Sequence, residues 1–156
     1  MSLPVIVERV ILETFPVFAD LVAALAEYER LAPPDAGARR RLEEDGLSDP
    51  PRYEAYLARI GDHAVGYVTF FFTYSTFLAR PTLYLEDIFV RPEYRRMGIG
   101  RHLFEFCRTR AWESGCGRFE WQVLEWNDPA MRFYEALGAG RIGWSVYRIV
   151  RPDMQT

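Results

Sequence analysis

The stretch YLEDIFVRPEYRRMGIG, residues 84–100, carries the pattern on which the fold turns. TLYLEDIFV, residues 82–90, reads as a buried strand interrupted by the adjacent acids Glu86 and Asp87. Pro92 ends it, because proline lacks the N–H that a strand ladder needs. Residues 95–100, Arg-Arg-Met-Gly-Ile-Gly, then lead into a helix. The first turn of a helix leaves unpaired N–H groups and a partial positive charge, which together suit a phosphate. Arg91, Arg95, Arg96 and Arg101 add charge around the same point. No Gly-Lys-Ser/Thr is present and no third glycine follows, which excludes a nucleoside-triphosphate loop and a dinucleotide fingerprint. By strict alternation Glu86 shares a face with Tyr84, Ile88 and Val90, and Asp87 shares one with Leu85 and Phe89. At least one carboxylate therefore faces a covered side of the sheet, where it needs a partner or a task. An ion pair with a nearby arginine is the purely structural alternative.

Working outward, the chain alternates strands and helices. VIVERVI reads as a first strand. The following FPVFADLVAALAEYERL has helical spacing, with Phe18, Leu21, Val22, Leu25 and Tyr28 on one face and Pro33-Pro34 as the stop. DAGARRRLEEDGL is a short polar helix closed by Gly46. RYEAYLARI, the turn GDH and VGYVTFFFTYSTF form a hairpin whose second strand is apolar on both faces, as a central strand under helices should be. GIGRHLFEFCRTRAWES reads as a helix that buries Ile99, Leu103, Phe106, Cys107 and Ala111 and stops at Gly115. RFEWQVLEW reads as a strand, and DPAMRFYEAL as a helix with Asp128 as cap, Pro129 in its first turn and Gly138 beyond its end. GWSVYRIV reads as a closing strand. The order implies an α/β fold with a mixed, twisted sheet.

Composition narrows the function. The 156 residues fit one domain, 1–156, and 49% hydrophobic content gives it a core. The longest apolar stretch is too short to span a bilayer, and the N-terminus has no signal pattern, so the chain reads as soluble, intracellular and free of membrane. A net charge of −3 argues against nucleic acid as a partner. Cys107 and Cys116 lie apart from any histidine cluster, so no metal site is expected. All 19 basic residues are arginine.

Arg95-Arg96-Met97-Gly98-Ile99-Gly100 resembles the acetyl-CoA signature of the GNAT acetyltransferase superfamily, and EWNDPAMRFYEALGA resembles its second half. LAEYERL, LEEDGL, FTYSTF, YLEDIFVRPEYR and VLEWNDPAMRFYEALGA, with the late GW, resemble the diamine (spermidine/spermine) and thialysine acetyltransferase group. The resemblance implies a GNAT fold with a mixed, mostly antiparallel sheet of about six to seven strands and flanking helices. It implies acetyl-CoA as cofactor, a small-molecule amine as substrate, the cytoplasm as location and a homodimer as the assembly. Ile88, Phe89 and Val90 would present backbone groups to the pantetheine arm, and Arg95, Arg96, Met97, Gly98, Ile99, Gly100 and Arg101 would cradle the pyrophosphate. Asn127, Ala130 and Tyr134 would lie along the cofactor, with Tyr134 near the thioester sulfur. Tyr28, Glu29 and Glu86 would face the amine; Trp121 either lines the amine pocket, since aromatic faces attract cations, or packs in the core, the commoner fate of a strand Trp.

Chemistry makes the same demand. An alkyl ammonium near pKa 10.4 is neutral in only about one molecule in 2,500 at pH 7, a deficit of roughly 4.6 kcal/mol. A base must release its lone pair. Glu86, buried, raised in pKa and acting through a water, is the residue expected to do so, with Tyr134 stabilising the departing thiolate. Asp87 either pairs with an arginine or draws the cation in. Ser75 and the short segment before Trp144 lack acids that polyamine-selective members carry, which favours short diamines or thialysine-like amino acids. Two other classes remain: a non-catalytic acyl-CoA sensor, and an enzyme acting on protein N-termini or lysines.

Overall fold

The computed structural model describes residues 4–154 and divides into two compact units, Met1–Trp121 and Gln122–Thr156. The first unit holds the sheet. Its strands are β1 (Val5–Arg9), β2 (Glu54–Ile60), β3 (His63–Ser75), β4 (Arg80–Val90) and β5 (Arg118–Trp121), side by side in chain order. Four of the strands pair antiparallel in succession, and β5 alone runs parallel to β4. The mixed sheet is as expected, but it has five strands among the described residues, not six or seven. GWSVYRIV, taken as the closing strand, has no ladder partner there. A strand exists only by pairing, so β-favouring composition alone does not make one. RFEWQVLEW is a strand only over its first four residues.

Two helices of this unit cover the sheet, one on each face. Helix α1 (Phe15–Tyr28) buries Phe18, Leu21 and Leu25 against Leu57, Tyr67 and Phe89. Its expected stripe holds except at its end, where Tyr28 is exposed. Helix α3 (Ile99–Glu113) buries Ile99, Leu103, Cys107 and Ala111 against Val68, Phe70, Leu83 and Leu85. Phe104 is fully buried with them, and Phe106, expected there, is only half-buried. Covered on both sides, β3 is buried continuously from Val65 to Phe70, as its apolar run implied.

Helix α2 (Ala36–Leu47) starts at Asp35, whose side chain accepts a hydrogen bond from the Ala38 amide at 2.8 Å. Gly46 lies inside this helix and does not end it; a Cβ there would meet the Tyr53 ring. In the second unit, α4 (Asp128–Ala136) is capped by Asn127, not by Asp128. Asn127 Oδ1 accepts from the Ala130 amide at 3.3 Å, three residues on, which is the N-cap geometry. Gly138, at φ +92°, follows the helix as expected.

Candidate active site

The site begins with a break in the β3–β4 ladder. Thr69 pairs with Asp87, but its neighbour Phe70 pairs with Leu85, so Glu86 is the extra residue of a β-bulge. Cross-strand partners share a face. Leu85 therefore points with Phe70 toward α3, and Asp87 points with Thr69 toward α1. The alternation that puts Asp87 beside Leu85 fails for this reason. The burial expected of Glu86 also falls elsewhere: Glu86 is exposed, whereas Asp87 is half-buried.

Around Asp87 the structure gathers groups from four elements. Thr69 Oγ1 donates a hydrogen bond to Asp87 Oδ2 at 3.0 Å. The Tyr67 hydroxyl, fully buried on the same face of β3, makes no hydrogen bond of its own and is turned toward Asp87. Glu29, at the C-terminal end of α1, and Tyr53, just before β2, also face this carboxyl. Desolvation pushes Asp87 up from 3.8 to about 6, Glu86 and Glu29 add to the rise, and the Thr69 and Tyr67 hydroxyls oppose it. Glu29 is raised as well, first by burial and then by the charge of Glu86. Tyr67 is pushed well above its ordinary range by burial and by the carboxylate of Asp87. None of the arginine–carboxylate pairs among the described residues includes Glu29, Glu86 or Asp87. Glu86 thus raises both Glu29 and Asp87, and acids so grouped without an arginine pair among the described residues suit a cation.

Beside this cluster β4 loses a neighbour. The parallel ladder to β5 runs from Thr82–Arg118 to Leu85–Trp121 and then stops, whereas the ladder to β3 continues to Val90. From Glu86 to Val90 that edge of β4 makes no ladder bonds to β5, the arrangement an extended ligand needs to add as a strand. Gly66, opposite Val90, holds this segment close: a Cβ there would lie 2.4 Å from the Phe89 carbonyl oxygen. Nothing in the sequence reading singled out Gly66, since a glycine inside a strand shows its purpose only when its cross-strand neighbour is known.

The strand leads through a 3-10 turn, Pro92–Tyr94, to the start of α3. Gly98 is the N-cap at φ +79° with no side-chain cap, so the first amides of the helix have no side chain occupying them. The space around Gly98 is open, and the left-handed backbone is what requires glycine here. Arg96, at φ +62°, shares that conformation, and it and Arg101 are exposed beside the helix terminus. Arg95 is used differently: its Nε donates to the Val90 carbonyl at 2.9 Å, and its guanidinium lies over the Tyr28 ring at 4.8 Å. It braces the loop against the end of α1. An open groove of about 490 Å³ runs from Gly98 and Arg101 along α3 past His102 to Phe106 and Thr109. These features fit a pantetheine arm along β4 and a pyrophosphate at the helix terminus.

The remaining sequence candidates are placed as follows. Tyr28 and Glu29 end α1, and Trp121 packs on Phe104 and Phe119 at centroid distances of 5.2 and 4.9 Å, its ring turned to the core. In the second unit, Tyr134 lies half-buried on α4 with its ring 5.2 Å from Phe133, and Asn127 and Ala130 are joined by the cap hydrogen bond.

A parallel-flanked, splayed β4, a glycine-capped helix after it and an acid cluster on the bulge together define an acyl-CoA-dependent acyltransferase. The chain belongs to the acetyltransferase (GNAT) family, whose model matches residues 18–139, and acetyl-CoA is that family's cofactor. It is 38% identical over 140 residues to thialysine N-epsilon-acetyltransferase of Bos taurus, covering 82% of each chain. It is 43% identical over 94 residues to L-ornithine N5-acetyltransferase of Arabidopsis thaliana, covering 60% of this chain and 41% of that one. Its fold is similar to that of aminoglycoside N-acetyltransferase AAC(6')-Iy in complex with CoA, at TM-score 0.80 and 17% identity, covering 97% of each chain.

Proposed function

We propose that this acetyltransferase acts on the primary amine of a small molecule, a short diamine or the side-chain amine of a thialysine- or ornithine-like amino acid. The observation that carries the reading is the unbalanced acid cluster of Glu29, Glu86 and Asp87 beside the open edge of β4. An ammonium is the partner such a cluster selects, and the similarity to thialysine and ornithine acetyltransferases supports an amine of that size.

Acetyl-CoA supplies the acetyl thioester. Arg96, Arg101 and the first amides of α3 hold the pyrophosphate, with Met97, Gly98, Ile99 and Gly100 forming the turn around it. Arg95 braces that turn, and the backbone of Ile88, Phe89 and Val90 aligns the pantetheine arm. Backbone N–H groups of the same segment stabilise the oxyanion. Tyr28 and Glu29 border the amine, Glu86 meets it first at the exposed bulge, and a carboxylate of the cluster removes its proton. Tyr134 hydrogen-bonds the departing thiolate, and Asn127 and Ala130 keep the start of α4 in place beside the cofactor. We further propose that the two units act as one catalytic domain, residues 1–156, and that the enzyme works as a homodimer in the cytoplasm. No helix among the described residues is long and apolar enough to cross a membrane.

The test mixes purified protein with acetyl-CoA and a panel of diamines, thialysine, ornithine and lysine while free thiol is followed. Thiol release with a short diamine or one of the amino acids is expected. Tight binding of acetyl-CoA with no release for any amine would overturn the reading in favour of a sensor.

A further inference from the structure

We propose that Asp87 is the terminal proton acceptor of the reaction and that Tyr67 and Thr69 are the residues that position it. The proposal rests on the amine acetyltransferase reading above and deepens it.

Geometry separates the two adjacent acids. The bulge leaves Glu86 exposed and turns Asp87 to the α1 face, under Glu29 and against β3. Thr69 Oγ1 holds one carboxylate oxygen at 3.0 Å, which fixes the side chain while leaving the other oxygen to accept. The Tyr67 hydroxyl is the second observation. It is 0% exposed, has no hydrogen-bond partner, and faces Asp87, Glu29 and Glu86. A buried unpaired hydroxyl costs free energy unless a ligand or a change of charge state completes it. Asp87 is the group it is placed to donate to when that carboxyl is ionised. A phenylalanine of nearly the same shape would fill the space without that cost, so the hydroxyl has a use.

The balance is simple. One proton leaves the ammonium nitrogen for the free oxygen of Asp87 and passes from there to solvent. The nitrogen lone pair so released forms the new N–C bond as the C–S bond of the thioester breaks. The nitrogen's second proton ends on the departing sulfur, giving amide and thiol. An acceptor with a pKa of about 6 is ionised at neutral pH yet basic enough for the transfer, a better match than an ordinary aspartate. The groups that face it are Glu86 on its own strand, Glu29 on α1, Thr69 and Tyr67 on β3, and Tyr53 before β2. Their signs differ, and this makes the proposal testable.

The experiment measures kcat/KM against pH for the wild type and for Asp87→Asn, Glu86→Gln, Tyr67→Phe and Thr69→Val, using the amine that releases thiol fastest. Asp87→Asn should lower kcat about 100-fold or more and abolish the acidic limb. Tyr67→Phe removes a donor to the carboxylate and should move that limb up by about one pH unit. Glu86→Gln removes a neighbouring negative charge and should move it down, with KM rising. Thr69→Val should act in the same direction as Tyr67→Phe. The carboxyl 13C resonance of Asp87 in the substrate-free protein should titrate with the same midpoint and shift upward in Tyr67→Phe. A wild-type limb in Asp87→Asn, or loss of the limb in Glu86→Gln with none of the shifts, would overturn the assignment to Asp87 alone. A wild-type enzyme that acetylates no amine would overturn the underlying reading as well.

Discussion

An acid held above its ordinary range lowers stability wherever it is ionised, so Asp87 should cost the fold something at neutral pH. The native carboxyl titrates at about 6 against 3.8 for the ordinary group. Between those values the native state binds more protons than the unfolded chain, and stability falls as pH rises through the window. Above it the full cost is present, about 3 kcal/mol for a rise from 3.8 to about 6. Partial solvent contact and screening trim this to roughly 1–3 kcal/mol. Asp87→Asn keeps the shape and an oxygen to accept from Thr69, but removes the charge. The variant should therefore gain roughly 1–3 kcal/mol at pH 7.5, or about 2–10 °C in Tm for a chain of this size, while losing activity. At pH 4 the gain should be nearly gone. Denaturant unfolding at both pH values reads it directly through the midpoint at constant slope. An equal effect at both, or destabilisation at pH 7.5, would refute the claim that Asp87 is an uncompensated charge.

Other outcomes follow from the backbone and the thiols. Gly66→Ala places a Cβ 2.4 Å from the Phe89 carbonyl oxygen and must push β3 and β4 apart; unfolding midpoints should fall by about 1–3 kcal/mol and CoA affinity with them. Gly98→Ala meets no atom, so its cost is the left-handed backbone alone, about 1–2 kcal/mol, and calorimetric titration should show weaker CoA binding. Arg96→Gln and Arg101→Gln should each raise the Kd for CoA about tenfold and flatten its salt dependence, as measured by titration at several ionic strengths. Burial raises the pKa of Cys107 and of Cys116, so neither should react with a thiol reagent at neutral pH until the protein is denatured. The free-thiol assay then reports product only.

Much of the site was legible because its parts are local. A proline after a strand and the free amides of a helix start depend on neighbours within one turn, so the end of β4 and the start of α3 fall close to where their sequence implies. The helical stripe of α1 and the continuous burial of β3 were legible for the same reason. What failed depends on contacts that spacing alone does not reveal, some of them distant in the chain. Asp128 looked like the cap of α4, but a contact one residue earlier, from Asn127 to Ala130, decides it. Arg95 looked like a phosphate ligand until the end of α1 supplied Tyr28 beneath its guanidinium.

The sequence by itself determined the family, the order of the elements, the helix terminus that suits a phosphate and the presence of two acids in an apolar strand. Only the tertiary structure decided which acid is half-buried and which exposed. Alternation assumes an unbroken ladder, and the bulge opposite Thr69 and Phe70 shifts the register by one residue, sending Asp87 to the α1 face and Glu86 to solvent. That shift also brings Tyr67, Thr69 and Glu29 around a single carboxyl, because strand pairing and helix packing join residues that lie far from Asp87 along the chain, Thr69 by 18 positions.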